Sequence, residues 1–568
     1  METIIHLHDG LALLYPFIPE PVKKALTYWH KSLEWDSEKG KRVVSGEYRQ
    51  LFQKVPAPLV PAGNGQPYGE TISIPYGLVS LVTSKLSSLG IKHRFVDSRT
   101  ALPQPSLYDE AVEMLRPYQA EGFMSVLFNY GGIMQCPTGW GKTHIMAAII
   151  KSFRHSDLQD RHTPLTVVAA PDKEVVAQTY EAFKELLKDR EVGCCMSGSH
   201  KDSDDIVVAT MDSLQNLDPL EVGLLLVDEV HEAATATRAP KIMAMTKAIK
   251  WGFSATPYGR FDGADIATDA LVGPTVYSRT YAQGIADGAL VPIKVYWVKV
   301  PAPDLGVDTV HSYQKHDSVV RYGLVKNKGM LKQIAALLDR IPDSMQTLCI
   351  TQLLEHVKEI HDVALDVVYV HGTNDAAKMK KSRHGSIDAI SKVDRGKIYN
   401  RFKSGDITKV ISTTIYQQGV NFPNLSVMIN AGGGGSAIAA GQIPGRTSRS
   451  IAGKDCSYII DFWHDWDMVV NSSGRRRPGI IHSADCERSE VYGSSELGFE
   501  QVWVDSVEDI PFLRRDNEQK ETGKPCEAVQ EKPAKRKGKV LCDVPVRGGD
   551  TAGVPGTVEP VRQEEVSS

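Results

Sequence analysis

One octapeptide, Cys136-Pro137-Thr138-Gly139-Trp140-Gly141-Lys142-Thr143, places glycines, a lysine and a hydroxyl in an order that can surround a phosphate. An apolar run, Gly132-Ile133-Met134, precedes it, and a helix-like stretch over 145–153 follows. Successive backbone N–H groups in such a loop, backed by the helix N-terminus, can enclose the oxygens of a nucleotide. Pro137, Thr138, Gly139 and Gly141 then form the cradle, Lys142 reaches the terminal phosphates, and the Thr143 hydroxyl meets Mg²⁺. Two residues depart from the usual pattern: Cys136 takes the first glycine position, and Trp140 is bulky where small residues are common. If N–H groups make the contacts, the Trp140 side chain is expected to point away from phosphate.

A second segment supplies carboxylates. Leu224-Leu225-Leu226-Val227 runs directly into Asp228-Glu229-Val230-His231. A core strand accounts for the four apolar residues but not for two acids immediately after them. At a nucleotide site, Asp228 would hold Mg²⁺ opposite the loop and Glu229 would orient the attacking water. Both segments at the carboxyl ends of parallel strands would line one crevice, where open α/β sheets bind ligands.

The elements that must carry these residues are legible as apolar runs. Ile133-Met134, 165–169, 206–209, 224–227 and Trp251-Gly252-Phe253 read as strands, and 175–188 reads as a helix with Val176, Tyr180, Phe183 and Leu187 on one face. A second set, 347–350, 367–370, 409–411, 427–429 and 458–460, has crossovers over 330–338 and 398–403. Strands alternating with helices predict α/β architecture with parallel, doubly wound sheets.

An Asp-Glu-Val-His box downstream of such a loop resembles the superfamily 2 helicases and translocases, among them phage branch-migration and XPB-like helicases. The resemblance extends over most of 112–462. Arg116-Pro117-Tyr118-Gln119 lies where the family reads adenine, so Gln119 takes that role. The segment 167–171, ending in Pro171, and then Gln178, matches a grip on a nucleic-acid backbone. Val207-Val208-Ala209-Thr210 matches a second grip through Thr210. Ser254-Ala255-Thr256-Pro257 matches the segment linking hydrolysis to nucleic-acid binding. Thr413-Thr414 and Gly419-Val420-Asn421 resemble the fifth motif, with the threonines on nucleic acid and Gly419 on nucleotide. Gln442-Ile443-Pro444-Gly445-Arg446-Thr447-Ser448-Arg449 resembles the sixth, with Gln442, Arg446 and Arg449 in the catalytic set. Ile443 stands where many relatives carry arginine, which leaves Arg446 and Arg449 as the finger candidates.

This resemblance implies two tandem RecA-like lobes with ATP and Mg²⁺ between them and DNA as partner, RNA not being excluded. The expected domains are an α+β accessory domain over 1–107, lobe 1 over 108–295, lobe 2 over 296–470, an extension over 471–515 and a disordered tail over 516–568. Residues 71–99 read as strand, helix, strand, with Lys92, His93, Arg94 and Arg99 as basic contacts for duplex or a junction. Three functions fit: a DNA helicase or translocase that remodels branched DNA, an RNA helicase of the same superfamily, or a non-translocating ATP-switched clamp.

Composition narrows the setting. With a formal net charge of −4 over 568 residues, nucleic acid must be met by local basic surfaces rather than by global attraction. The 8 cysteines show no paired metal-ligand spacing, which argues for a reducing compartment without structural zinc. Glu2 and Asp9 sit where a signal peptide carries positive charge, and no apolar run approaches membrane length. The expected location is the cytoplasm of a bacterium or a phage-infected host cell.

Overall fold

Among the described residues the strands form five sheets, and the first strand begins at the second residue. The computed structural model describes residues 2–36, 41–55, 71–99, 109–153, 164–196, 203, 205–260, 262–312, 316–372, 390, 392–416, 422–433, 447–450, 453–470 and 475–513. The expected tail over 516–568 therefore lies outside the described residues.

The N-terminal region opens with β1 (Glu2–His8) and β2 (Leu11–Tyr15), followed by β3 (Thr27–Asp36), β4 (Lys41–Gln50), β5 (Gln53–Lys54), β6 (Ile72–Pro75) and β7 (Lys92–Asp97). One sheet has the order β5-β6-β2-β1-β7, with β7 parallel to β1 and the other pairs antiparallel. The strand, helix and strand read over 71–99 are β6, the helix Val79–Ser88 and β7. Val82 and Leu86 of that helix pack against Ile5 and Leu14 of the sheet in a cluster that includes Ala270 of the next region, so the accessory sheet is seated on lobe 1. Strands β3 and β4 stand apart as a two-stranded antiparallel ribbon. Of the basic residues expected to meet DNA, Arg99 is already engaged: its guanidinium donates to Asp97 at 2.6 and 2.9 Å and to the Tyr76 hydroxyl at 2.7 Å.

Lobe 1 holds β8 (Gly131–Gln135), β9 (Leu165–Ala170), β10 (Val192–Cys195), β11 (Ile206–Thr210), β12 (Val222–Asp228), β13 (Ile249–Ser254) and β14 (Thr275–Ser278). Their order is β10-β11-β9-β12-β13-β8-β14, and every neighbouring pair is parallel. All six residues of β9 are buried, as a strand covered by helices on both faces requires. The helix Lys173–Leu186 is capped by Asp172, whose side chain accepts from the Val175 N–H at 2.9 Å.

Lobe 2 holds β15 (Ile293–Lys299), β16 (Gln346–Ile350), β17 (Val368–Val370), β18 (Lys409–Ser412), β19 (Leu425–Asn430) and β20 (Ser457–Trp463). After them come β21 (Met468–Val470), β22 (Arg476–Pro478) and β23 (Glu500–Val504), with β21 and β22 forming a small hairpin. The large sheet runs β17-β18-β16-β19-β20-β15-β23, again with parallel neighbours throughout. Its edge strand β23 comes from the segment beyond 470, so that segment completes the second sheet.

A buried polar cluster fixes this last segment. Arg488, on the helix Ile480–Tyr492 and 1% exposed, donates to Asp461 at 2.9 and 3.0 Å and to Asp485 at 2.9 Å. Asp461 also accepts from the Asn430 amide at 2.9 Å, and Asp485 meets His464 at 3.0 Å. Burial opposes ionisation of Asp485, but His464, His482 and Arg488 outweigh it and hold the carboxyl well below the usual carboxylate range. Burial likewise works against the Arg488 charge, and Asp461 and Asp485 more than restore it.

Candidate nucleotide site and strand groove

The loop between β8 and the helix Lys142–Ser152 turns on two glycines in left-handed conformations, Gly139 at φ +90° and Gly141 at φ +101°. The φ at Gly141 favours glycine, and a Cβ there would displace the Gln119 side-chain amide. Gln119 is 1% exposed, and its Nε2 donates to the carbonyls of Trp140 at 3.0 Å and Gly141 at 3.3 Å. Its Oε1 accepts from the Arg116 N–H at 2.9 Å. In this state Gln119 braces the loop backbone.

Trp140 points away from the cradle. Its indole is fully buried, lies 5.4 Å from the Tyr118 ring and 6.0 Å from Tyr277, and donates to Asp287 at 3.1 Å. The bulky residue is thus an anchor for the loop, which leaves the backbone N–H groups free to define the cradle. Cys136 is also buried, and burial pushes its thiol up to about 12, so it remains protonated. Its N–H donates to the Ser254 carbonyl at 3.1 Å, tying the loop to the end of β13.

Asp228 ends β12, and Glu229 follows in the left-handed region at φ +47°, a conformation uncommon for a residue with a side chain. Lys142 Nζ lies 3.4 Å from Glu229 Oε1. Burial works against the Lys142 charge, yet Glu229 and Asp228 together raise its pKa and keep it an ammonium. Burial pushes the Asp228 carboxyl up to about 6, with Lys142 pulling the other way.

A second layer surrounds Glu229. Ser254 Oγ lies 3.4 Å from Glu229 Oε2 and 2.9 Å from His231 Nδ1, and it accepts from the Thr256 N–H at 3.1 Å. Burial lowers the His231 pKa, so the imidazole is neutral near pH 7. With the Nδ1–H tautomer, His231 donates to Ser254 and Ser254 donates to Glu229. The acid expected to orient water is therefore wired to Ser254-Ala255-Thr256. Sequence motifs place both segments, but only the side-by-side pairing of β12 and β13 brings them into contact.

Thr143 and Asp228 are half-buried hard oxygen donors on the loop helix and at the end of β12. Two protein oxygens suit Mg²⁺, which keeps water and phosphate oxygens in its remaining positions. Among the described residues no group of three or more His, Cys, Asp or Glu could hold a metal ion. The donor set and the glycine cradle fit a nucleotide with Mg²⁺. When bound, that group would supply the phosphoryl bond and neutralise its developing charge.

Pro171 and Thr210 line one groove with Asp172, Lys173, Ser213 and Asn216, at the carboxyl ends of β9 and β11. Thr210 is buried and donates to Ser213 Oγ at 2.7 Å. Gln178 lies half-buried on the adjoining helix and does not line that groove. In lobe 2, Thr413 follows β18 and its N–H donates to the Val370 carbonyl at 3.2 Å, while Thr414 opens the turn Thr414–Tyr416. Arg449 sits at the lobe junction, paired through its backbone with Leu290, while the Ser448 carbonyl accepts from the Val291 N–H at 2.7 Å. Gly419, Gln442 and Arg446 lie outside the described residues. One contact carried no sequence signal: the Gln135 amide, at the start of the phosphate loop, donates to the Glu496 carboxylate from beyond 470.

Two family descriptions match this chain. Residues 113–259 match "Type III restriction enzyme, res subunit", and residues 329–450 match "Helicase conserved C-terminal domain". The first region covers most of the first parallel sheet and the second the middle of the other, and together they contain the loop, the acids and Arg449. The chain belongs to the superfamily 2 helicases and translocases. It is similar to the DNA 3'-5' translocase XPB2 of Sulfurisphaera tokodaii, 24% identical over 383 residues, which cover 63% of this chain and 83% of that one. It is also similar to the DNA 3'-5' helicase XPB of Kineococcus radiotolerans, 25% identical over 362 residues, which cover 59% of this chain and 57% of that one. As a superfamily 2 helicase, the chain carries the machinery of a nucleic-acid-dependent ATPase. Among the described residues no helix is long and apolar enough to cross a membrane.

Proposed function

We propose that the protein is an ATP-driven DNA translocase that remodels branched DNA. The carrying observation is the position of Glu229, 3.4 Å from Lys142 and 3.4 Å from Ser254, between the phosphate loop and the segment expected to sense nucleic acid. In this reading Lys142 and Thr143 engage phosphate and Mg²⁺, Asp228 holds Mg²⁺, and Glu229 orients water. Gln119 reads adenine, Arg446 and Arg449 stabilise transition-state charge, and Gln442 belongs to the same catalytic set. Pro171, Gln178 and Thr210 hold one stretch of nucleic-acid backbone and Thr413 and Thr414 another, so that cycles of lobe closure and opening advance the chain along a strand. The choice of DNA is supported by the DNA translocases and helicases among its relatives. The choice of branched substrate is supported by the accessory sheet seated on lobe 1.

The test is ATP hydrolysis with no nucleic acid, single-stranded DNA, duplex DNA, a four-way junction and matched RNA, with Lys142→Ala as control. The proposal expects the largest stimulation by the junction and none in the control. Stimulation by RNA alone would make the protein an RNA helicase. Hydrolysis indifferent to every nucleic acid would leave a nucleotide switch and refute the motor.

A further inference from the structure

The ribbon β3–β4 has two unlike faces. Strict pairing sets Trp29 opposite Tyr48, Lys31 opposite Gly46, Leu33 opposite Val44 and Trp35 opposite Arg42, so these residues share one face. Where its side chains are described, that face carries Trp29, Tyr48 and Lys31 and no acid. The acids Glu34, Asp36 and Glu47 all take positions on the other face. That other face also holds the positions of Lys41 and Arg49, so it is the acids, not all the charge, that are confined to one side.

The aromatic face is open where its side chains are described. Trp29 is 44% exposed, Val44 58% and Tyr48 74%, an unusual display of large apolar groups on adjacent strands. The Trp29 and Tyr48 rings meet edge to face at 4.7 Å, and the indole lies across Gly46, whose missing Cβ makes room for it. The result is an exposed aromatic step beside the exposed Lys31.

We propose that this face is a platform for unpaired nucleotides, whose bases stack on Trp29 and Tyr48 while Lys31 meets a phosphate. Aromatic side chains accept any base, and the exposed lysine supplies charge complementarity to a phosphate backbone. The inference deepens the reading of the protein as a DNA translocase and rests on it.

The ribbon is also tied to the hydrolysis site. The Lys31 N–H donates to the Asp262 carbonyl at 2.9 Å, and Gly263, at φ +72°, lies so close to the Trp29 carbonyl that a Cβ would stand 2.6 Å from it. The Asp262 carboxylate takes the Arg260 guanidinium at 2.6 and 2.9 Å, and Arg260 donates in turn to the His231 carbonyl. A strand held on the ribbon is thus one loop removed from the residue that contacts Ser254.

The experiment measures binding of the full chain to a fluorescein-labelled oligothymidylate and to the same strand annealed in a duplex. It compares the wild type with the double variants Trp29→Ala/Tyr48→Ala and Trp29→Phe/Tyr48→Phe. Loss of a stacking partner weakens single-strand binding by about tenfold per base, so the alanine pair is expected to lose at least about tenfold. The phenylalanine pair, which keeps the rings, is expected to stay within about threefold of wild type. Unchanged single-strand affinity in the alanine pair overturns the platform, as does an equal loss in both variants or a loss confined to duplex. A wild type that binds no oligonucleotide would instead refute the translocase reading itself.

Discussion

Replacing Arg488 by methionine would strip the only guanidinium from a cluster in which Asp461 and Asp485 are both 0% exposed. The change removes three charge-assisted hydrogen bonds of 2.9–3.0 Å and leaves Asp461 with the Asn430 amide and Asp485 with His464. Breaking a buried pair in this way costs about 3–5 kcal/mol, because the abandoned charges stay desolvated. The loss should be local to lobe 2, since the cluster joins β19, β20 and the helix Ile480–Tyr492. Hydrogen exchange of peptides covering Ser457–Trp463 and Ile480–Tyr492 reads it directly. The pH dependence follows from linkage. In the wild type the lowered Asp485 pKa gives stability that is present above the ordinary carboxylate value, about 3.9, and is lost only as pH falls through the lowered value. In the variant the unpaired acids have raised pKa values, so the deficit is full at neutral pH and shrinks toward about pH 4 as they protonate. Adding Asp461→Asn and Asp485→Asn should recover most of the protection by removing the stranded charge. Unchanged exchange in Arg488→Met, or a deficit that grows on acidification, would refute this account.

Other predictions concern the nucleotide site. Trp140→Ala should cost about 3–5 kcal/mol as a buried aromatic is lost and should weaken ATP binding, whereas Trp140→Phe should retain most of both; calorimetric unfolding and nucleotide titration decide. Ser254→Ala, which removes the hydroxyl between His231 and Glu229, should lower DNA-stimulated kcat by about 10–100-fold with KM for ATP little changed. An equal fall in stimulated and unstimulated rates would show that Ser254 does not transmit the signal. Because the Asp228 pKa is raised to about 6, ionising it destabilises the nucleotide-free protein as pH rises from about 4 to 6. Mg²⁺–ATP should reverse that trend and bind progressively more weakly below about pH 6; affinity flat from pH 5 to 8 would remove Asp228 from the metal site.

Much of the motor is written locally. The runs that became β8, β9, β11, β12 and β13 are continuous and apolar because a parallel strand covered on both faces admits little else. Their ends are marked by the loop and by Asp228-Glu229, so the site was legible along with them. The departure at Trp140 was resolvable too, since a cradle made of backbone N–H groups leaves a side chain free to turn inward. Short or edge strands were less legible. Val192–Cys195, Thr275–Ser278 and Glu500–Val504 are only 4, 4 and 5 residues long, and their membership is set by a neighbour already in place. The ribbon β3–β4 was not legible either, because its charged, aromatic alternation has no core to face.

The sequence by itself determined which residues could bind a nucleotide and that two parallel α/β lobes carry them, because phosphate chemistry and two-sided burial each impose a local pattern. Contacts between segments far apart in the chain were decided only by tertiary structure. Pairing of β12 with β13 brings Glu229 to Ser254, packing of the last helix buries Arg488 between two acids, and the loop at Asp262 joins the ribbon to His231. Each depends on which elements become neighbours, and the energy that selects neighbours is shared among many buried side chains rather than encoded in any one segment.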